Sequence, residues 1–358
     1  MTEWSDTPVS RTLGVGYPIV QGPFGGGQSS AALVAAVSNA GGLGSYGARG
    51  MTPGAIREVV ADIRQRTSLP FAVNLWVSTQ DDGAPAVTRE QFDAALAPFL
   101  PLYRELGVEP PRFERKAEPR VDDQAAALVE LRVPVVSFVF GVPPRALVDE
   151  SRRLGIVTIG TATSVDEAVA LEAGGVHLIV ASGSEAGGHR ASFLTSAESN
   201  LIGTFALVPQ VADAVRVPVI AAGGIADGRT VAAALMLGAS GVQVGTAFLA
   251  CEESNAPPGH RAALFGPERQ RTLLTRGFTG RLARGLRNRM AGFVDALPAP
   301  LPYPRQLDVL APLAREALSR DRVDLASLWA GQAAPLVKHR RAKDVFDALV
   351  SETTRALA

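Results

Sequence analysis

Residues 181–190 read Ala-Ser-Gly-Ser-Glu-Ala-Gly-Gly-His-Arg and follow directly on the apolar run at 177–180. A short apolar strand that dissolves into glycines and then offers an imidazole is a strand end opening onto a site, with backbone room for a bulky ligand. His189 is therefore the first candidate for acid–base chemistry, since an imidazole titrates close to neutral pH. Among the four histidines, His177, His189, His260 and His339, no pair has the spacing of helical metal ligands. The lone cysteine, Cys251, supplies no partner set, so no metal centre is expected. His177 falls at a strand start, where a satisfied core imidazole is the ordinary outcome.

Two other patterns carry chemistry. Residues 217–226 (VPVIAAGGIA) and 242–248 (VQVGTAF) end successive strand-like runs in glycine, placing Gly223, Gly224, Gly245 and Thr246 where backbone N–H groups can cradle a phosphate. Asn74 interrupts the apolar run 71–76, and a buried amide there suits the edge of a polar heterocycle or a neighbouring backbone group. The run Gly42-Leu-Gly-Ser-Tyr-Gly47 has the letters of a dinucleotide fingerprint. Its glycines overlap the strand itself, and the next strand ends in Ser78 and Thr79 where an acidic residue belongs, so close packing is the better reading. The only lysines are Lys116, Lys338 and Lys343, none on an expected barrel strand, which disfavours a Schiff-base aldolase.

These residues need elements to hold them. Eight β-rich segments recur at 18–21, 42–46, 71–77, 135–140, 156–160, 177–181, 217–221 and 241–246. Helical patterns alternate with them at 29–40, 53–66, 145–154, 165–173, 207–215 and 227–237. Strands that are apolar almost throughout require cover on both faces, which means a parallel sheet, and eight of them predict closure into an α/β fold, a (β/α)8 TIM barrel. The barrel domain is placed at 13–251, with an insertion at about 78–130 that carries Asp81, Asp82, Gly83 and a helical stretch near 90–106. Residues 252–358 form a mainly helical extension expected to cap the active-site face.

Composition excludes several classes. Lys+Arg 35 balances Asp+Glu 35, and the one basic run, Lys338 to Lys343 (KHRRAK), reads as a solvated helix face, so no nucleic-acid partner is expected. No apolar stretch reaches the roughly 20 residues of a bilayer span and no signal-peptide pattern opens the chain, so a membrane partner is not expected either. Cysteine usage fits a reducing, cytoplasmic setting, with a homodimer as the candidate assembly.

The segments PIVQGPFGGG (18–27), AVSNAGGLGSYGA (36–48), PFAVNLWV (70–77), SFVFGVP (137–143), ASGSEAGGHRASFL (181–194), LVPQVADAVRVPVIAAGGIADGR (207–229) and GVQVGTAFLA (241–250) resemble the nitronate monooxygenases, formerly 2-nitropropane dioxygenases. The likeness continues through FTGRLARGLRN (278–288), LPYPRQ (301–306) and LWAGQ (328–332). It implies an FMN-dependent oxidoreductase that converts alkyl nitronates, or nitroalkanes, and O2 to carbonyl compounds and nitrite, with His189 as base. It further implies flavin contacts at Pro23, Phe24, Asn74, Ser182, Gly187, Gly224, Gln243, Val244, Gly245 and Thr246, with Tyr303 and Trp329 as pocket walls. Phe24 stands where many members have Met, Ser182 where Gln is common and His177 where Asp is frequent. A reductase passing hydride from NAD(P)H to an enoyl thioester or quinone is the alternative, since flavin-dependent enoyl reductases share the Glu-Ala-Gly-Gly-His segment. A non-catalytic flavin-binding sensor or partner subunit is the third.

Overall fold

A computed structural model describes residues 3–78, 86–114 and 119–358. Asp81, Asp82, Gly83 and Lys116 lie outside them. Eight parallel strands form one sheet: β1 (Ile19–Gln21), β2 (Gly44–Gly47), β3 (Phe71–Trp76), β4 (Val135–Val139), β5 (Val157–Ala162), β6 (Leu178–Ser182), β8 (Val219–Ala222) and β9 (Gly241–Val244). A two-residue strand, β7 (Gly188–His189), falls between the sixth and seventh barrel strands. Neighbours run in chain order, β1 pairs with β9, and a parallel bridge between Val20 and Leu43 joins β1 to the entry of β2. Leu43 N–H donates to Ile19 O and Gln21 N–H to Leu43 O, both at 2.9 Å, so the sheet closes into a TIM barrel.

The barrel closes because its strands have an apolar residue for each side. Val20, Leu43, Ala72, Val135, Ile159, Leu178, Val180 and Ile220 form an interior cluster, joined by Val9 and Leu13 of the helix Pro8–Leu13. That helix plugs the N-terminal end: Thr7 Oγ1 donates to Ser240 O at 2.6 Å, just ahead of β9. The outward residues pack under the helices, and each buried Leu, Ile, Val or Phe contributes about 1.5–3 kcal/mol relative to exposure. Gly44 and Gly47 are packing glycines, as a Cβ would lie 2.1 Å from Val34 O and 2.4 Å from Phe24 O respectively. His177 is satisfied at the strand start, with Nδ1 accepting from Thr158 N–H at 3.1 Å.

The segment after β3 folds as helices Arg89–Leu96 and Leu100–Leu106, and helix Val121–Glu130 then crosses over to β4. Phe92, Phe99 and Tyr103 share a second core with Met290, Val309, Leu310 and Leu313 of the C-terminal extension. Tyr103 Oη donates to Val309 O at 2.6 Å. Insertion and extension, far apart in sequence, are thus packed as one apolar cluster.

Within the mainly helical extension, β10 (Thr272–Thr275) and β11 (Ala283–Leu286) form an antiparallel hairpin whose second strand pairs with β7. The short runs TLLT and ARGL pair with each other locally, and ARGL alone pairs further with the distant β7. The basic run Lys338 to Lys343, expected as a helix face, is helical only at Ala342 and Lys343, because the last helix, Ala342–Ala356, begins after Arg341. A cluster of cations is disfavoured at a helix N-terminus, and the Glu253 carboxylate accepts Ala342 N–H at 3.0–3.1 Å there. Among the described residues no helix is long and apolar enough to cross a membrane.

Candidate active site

The decapeptide is held open by its own charged residues. Arg190, 2 % exposed, donates to the carbonyls of Ser182 (3.0 Å), Gly183 and Asn200 (3.2 Å), and burial pushes its guanidinium down to about 10. Glu185 accepts from both Thr204 N–H and Thr204 Oγ1 at 2.9 Å, fixing the loop to the start of the helix Thr204–Ala214. A Cβ on Gly187 would lie 2.5 Å from the backbone of Ala330 and Gly331, so only glycine lets the extension lie flat on this loop. Gln332 N–H then donates to Glu185 O and Gly331 N–H to Thr246 Oγ1, both at 2.9 Å. The segment 328–332 therefore bridges the decapeptide and the end of β9.

His189 sits in a cage of rings. Its imidazole centroid lies 5.3 Å from Trp76, 5.4 Å from Trp329, 5.9 Å from Tyr303 and 6.4 Å from Phe140. Trp76 stacks on Tyr303 at 5.4 Å and contacts Phe140 at 4.5 Å. Phe140 has φ 70°, a left-handed backbone that a bulky residue rarely adopts, at the point where its ring turns into the cage. Two guanidinium groups lie on these rings: Arg49 is 4.9 Å from the Tyr303 centroid and Arg281 4.0 Å from that of Phe140. Arg281 also donates to Ser78 Oγ at 2.6 Å. Burial first, then the positive charges of Arg281 and Arg49, push the His189 imidazole down to about 3. It is neutral in this pocket at ordinary pH, with Nε2 2.9 Å from Thr279 Oγ1.

The remaining residues singled out in the sequence reach the same end of the barrel by different routes. Pro23 and Phe24 are half-buried in the loop after β1, where Ser29 Oγ accepts from Phe24 N–H (3.0 Å) and donates to Phe24 O (2.9 Å). A Cβ on Gly25 would touch the Trp76 ring at 3.9 Å, so this loop borders the cage. Asn74 is buried in β3 and its amide donates across to Ser137 Oγ at 3.0 Å, which gives half of the group a structural partner. Ser182, Gly224, Gln243, Gly245 and Thr246 line up at the C-terminal ends of β6, β8 and β9. Val244 differs: its side chain is buried in the core beneath the helices and its carbonyl accepts Gly22 N–H at 2.9 Å. Gly223 and Gly224 have φ of +99° and +73°, and nothing lies within 4 Å of a Cβ built on Gly245. That is open space at the C-terminal end of β9.

Sequence reasoning did not single out Trp76, Phe140, Thr279, Arg49 or Arg281 as site residues. Trp76 and Phe140 stand at the ends of the third and fourth strands, a position that points to the catalytic face. The other three carry no local signal; they are brought in by the loop after β2 and by the turn of the β10–β11 hairpin.

The profile of the nitronate monooxygenase family matches residues 6–352. A probable nitronate monooxygenase of Staphylococcus aureus is 36% identical over 356 residues, covering 99% of each chain, and one of Staphylococcus haemolyticus is 36% identical over 357 residues with the same coverage. Among solved structures, nitroalkane oxidase from Streptomyces ansochromogenes superposes with a TM-score of 0.88 at 36% identity over 98% of this chain and 99% of that one. FabK from Thermotoga maritima follows with a TM-score of 0.76 at 29% identity, covering 98% and 97%. A match of this extent in both sequence and structure makes the chain an oxidoreductase that belongs to the nitronate monooxygenase family.

Proposed function

We propose that this protein uses FMN to oxidise alkyl nitronates with O2 to carbonyl compounds and nitrite, and that His189 is its acid–base residue. Two nitronates and one O2 balance two carbonyls and two nitrite ions. The observation that carries the reading is the neutral imidazole of His189 facing two ring-held guanidinium groups, Arg49 and Arg281, inside an aromatic cage. Such a pocket favours a small planar anion: the positive field stabilises its charge, the rings exclude water, and the imidazole supplies a directional hydrogen-bonding group. When His189 takes the α-proton of a neutral nitroalkane, the C–H bond breaks to leave the nitronate anion, whose charge beside the ring stabilises the imidazolium that forms.

The residues at the strand ends fit a flavin mononucleotide. Gly224, Gly245 and Thr246 would hold its phosphate, since the space at Gly245 admits an anion close to the backbone and Thr246 Oγ1, accepting from Gly331, keeps its own proton to donate. Pro23, Phe24, Asn74, Ser182, Gly187 and Gln243 would border the ring system. When bound, the flavin supplies the electron transfer and the reaction with oxygen. The chain itself orients the substrate, keeps the mouth dry through Trp76, Tyr303 and Trp329, and moves the proton at His189. The cytoplasm is the assigned setting, in keeping with a single, buried Cys251.

Oxygen uptake with a panel of small nitronates, run beside anaerobic reduction of the flavin by NADH and NADPH, tests the proposal. Uptake with stoichiometric nitrite supports it. Inert nitronates together with rapid bleaching by a reduced nicotinamide would establish the reductase alternative instead.

A further inference from the structure

We infer that Thr279 is a positioning residue that sets the tautomer of His189, accepting the Nε2 proton and leaving Nδ1 bare as the atom that acts as base. The inference rests on His189 being the acid–base group and goes beyond it by naming the reactive nitrogen and the residue that selects it.

Thr279 lies in the turn between β10 and β11 and is 2 % exposed. Its Oγ1 is 2.9 Å from His189 Nε2, donates to Arg281 O at 3.2 Å and accepts from Arg281 N–H at 3.2 Å. A threonine hydroxyl has one proton and two acceptor sites. With the proton directed to Arg281 O, both acceptor sites are available, one for Arg281 N–H and one for an imidazole N–H. Every group in the triad is then satisfied, and the neutral ring bears its proton on Nε2. The opposite tautomer would need the hydroxyl proton to turn to Nε2 and leave the Arg281 carbonyl. No described residue hydrogen-bonds to Nδ1, so that lone pair is the one left for chemistry.

The turn is built to deliver the hydroxyl in one geometry. Thr279 N–H and Gly280 N–H both donate to Arg276 O, at 3.2 and 2.8 Å. Gly280 has φ +90°, and a Cβ there would lie 2.4 Å from Leu301 O, which seats the turn on the segment 301–303. On the other side His189 is paired with Ala283 in the ladder of β7 and β11, and Arg190 N–H donates to Leu282 O at 2.8 Å. Imidazole and hydroxyl are thereby fixed from both ends of one hairpin. Arg49 and Arg281 are the charged groups facing the ring, and both disfavour a doubly protonated state, so the choice between the two neutral tautomers is the one Thr279 makes.

The test uses the full chain labelled with 15N at histidine, with the His189 signals assigned by His189→Asn, and needs no substrate. In the wild-type protein near neutral pH the nitrogen shifts are expected to report protonated Nε2 and bare Nδ1. Thr279→Val, which keeps the shape and removes the acceptor, is expected to move a measurable fraction to the Nδ1–H form and to lower turnover of a neutral nitroalkane by roughly tenfold. Thr279→Ser restores the wild-type spectrum. A proton on Nδ1 in the wild-type protein, or identical spectra for wild type and Thr279→Val, overturns the inference. If Thr279→Val fails to fold, the wild-type and Thr279→Ser spectra still decide where the proton sits. Because the spectrum reads the tautomer without turnover, inert nitronates would overturn the proposed reaction and leave this assignment standing.

Discussion

Ala283 of the extension lies opposite His189 in an antiparallel ladder, so the imidazole at the end of the sixth barrel strand is held by a hairpin that begins more than 80 residues later. This pairing orients His189 toward Trp76, Tyr303 and Trp329 and brings Thr279 and Arg281 to it. The extension is thereby part of the site, and four predictions follow the elements it joins.

Replacing His189 by Asn keeps a polar side chain but removes the proton acceptor. Turnover of neutral nitroalkanes should fall by about 100-fold to 10,000-fold, within the range for a lost acid–base group, while bound flavin is retained. Unchanged turnover at full flavin occupancy would falsify the assigned base.

Gly245→Ala separates the cofactor cradle from the fold. Its φ of −100° suits alanine and nothing lies within 4 Å of the new methyl group, so apo-protein stability should be unchanged within about 0.5 kcal/mol. FMN affinity should drop by about tenfold or more, because the methyl group fills the approach to the backbone N–H groups. Titration of apo-protein with FMN checks this, and undiminished affinity would place the phosphate elsewhere.

Arg281→Met removes one of the two positive charges that hold the His189 imidazole down. The pKa then rises, so the acid limb of kcat/KM moves to higher pH, by up to about one unit for a single charge at this range. A limb that stays in place or moves to lower pH would show that the guanidinium does not act on the titrating group.

His260 gives a stability prediction of definite sign. It is 1 % exposed and its Nε2 is 3.0 Å from Trp329 O; burial pushes it from 6.5 down to about 4, against the opposing effect of that hydrogen bond. Between those values the unfolded chain binds a proton that the folded chain does not. This group's contribution is therefore complete above about pH 6.5 and is lost as the pH falls toward 4, by about 3 kcal/mol in all. Denaturant midpoints for the wild type and His260→Gln at pH 7 and pH 4.5 should differ in their pH dependence, the variant being flatter. Parallel changes would remove His260 as the titrating group.

Much of this molecule was legible in one dimension. The eight apolar runs, the glycines that end them and the motif around His189 are local patterns, because a parallel strand covered on both faces must be apolar throughout and a close backbone approach must be glycine. The sequence by itself thus determined the barrel, the strand ends that carry the candidate site and the loop that carries the imidazole. Apart from Tyr303 and Trp329, what surrounds that imidazole was decided by tertiary structure. Thr279, Arg49 and Arg281 sit in turns with no periodicity of their own, and the hairpin of TLLT and ARGL reaches the site because ARGL also pairs with β7. The basic run at 338–341 stays out of the helix because Glu253, nearly 90 residues earlier, accepts the first free N–H at Ala342. A hydrogen bond between residues 90 apart, such as His189 with Thr279, leaves no trace in the local pattern of either segment, since each is compatible with many partners until the packed core brings one of them within reach.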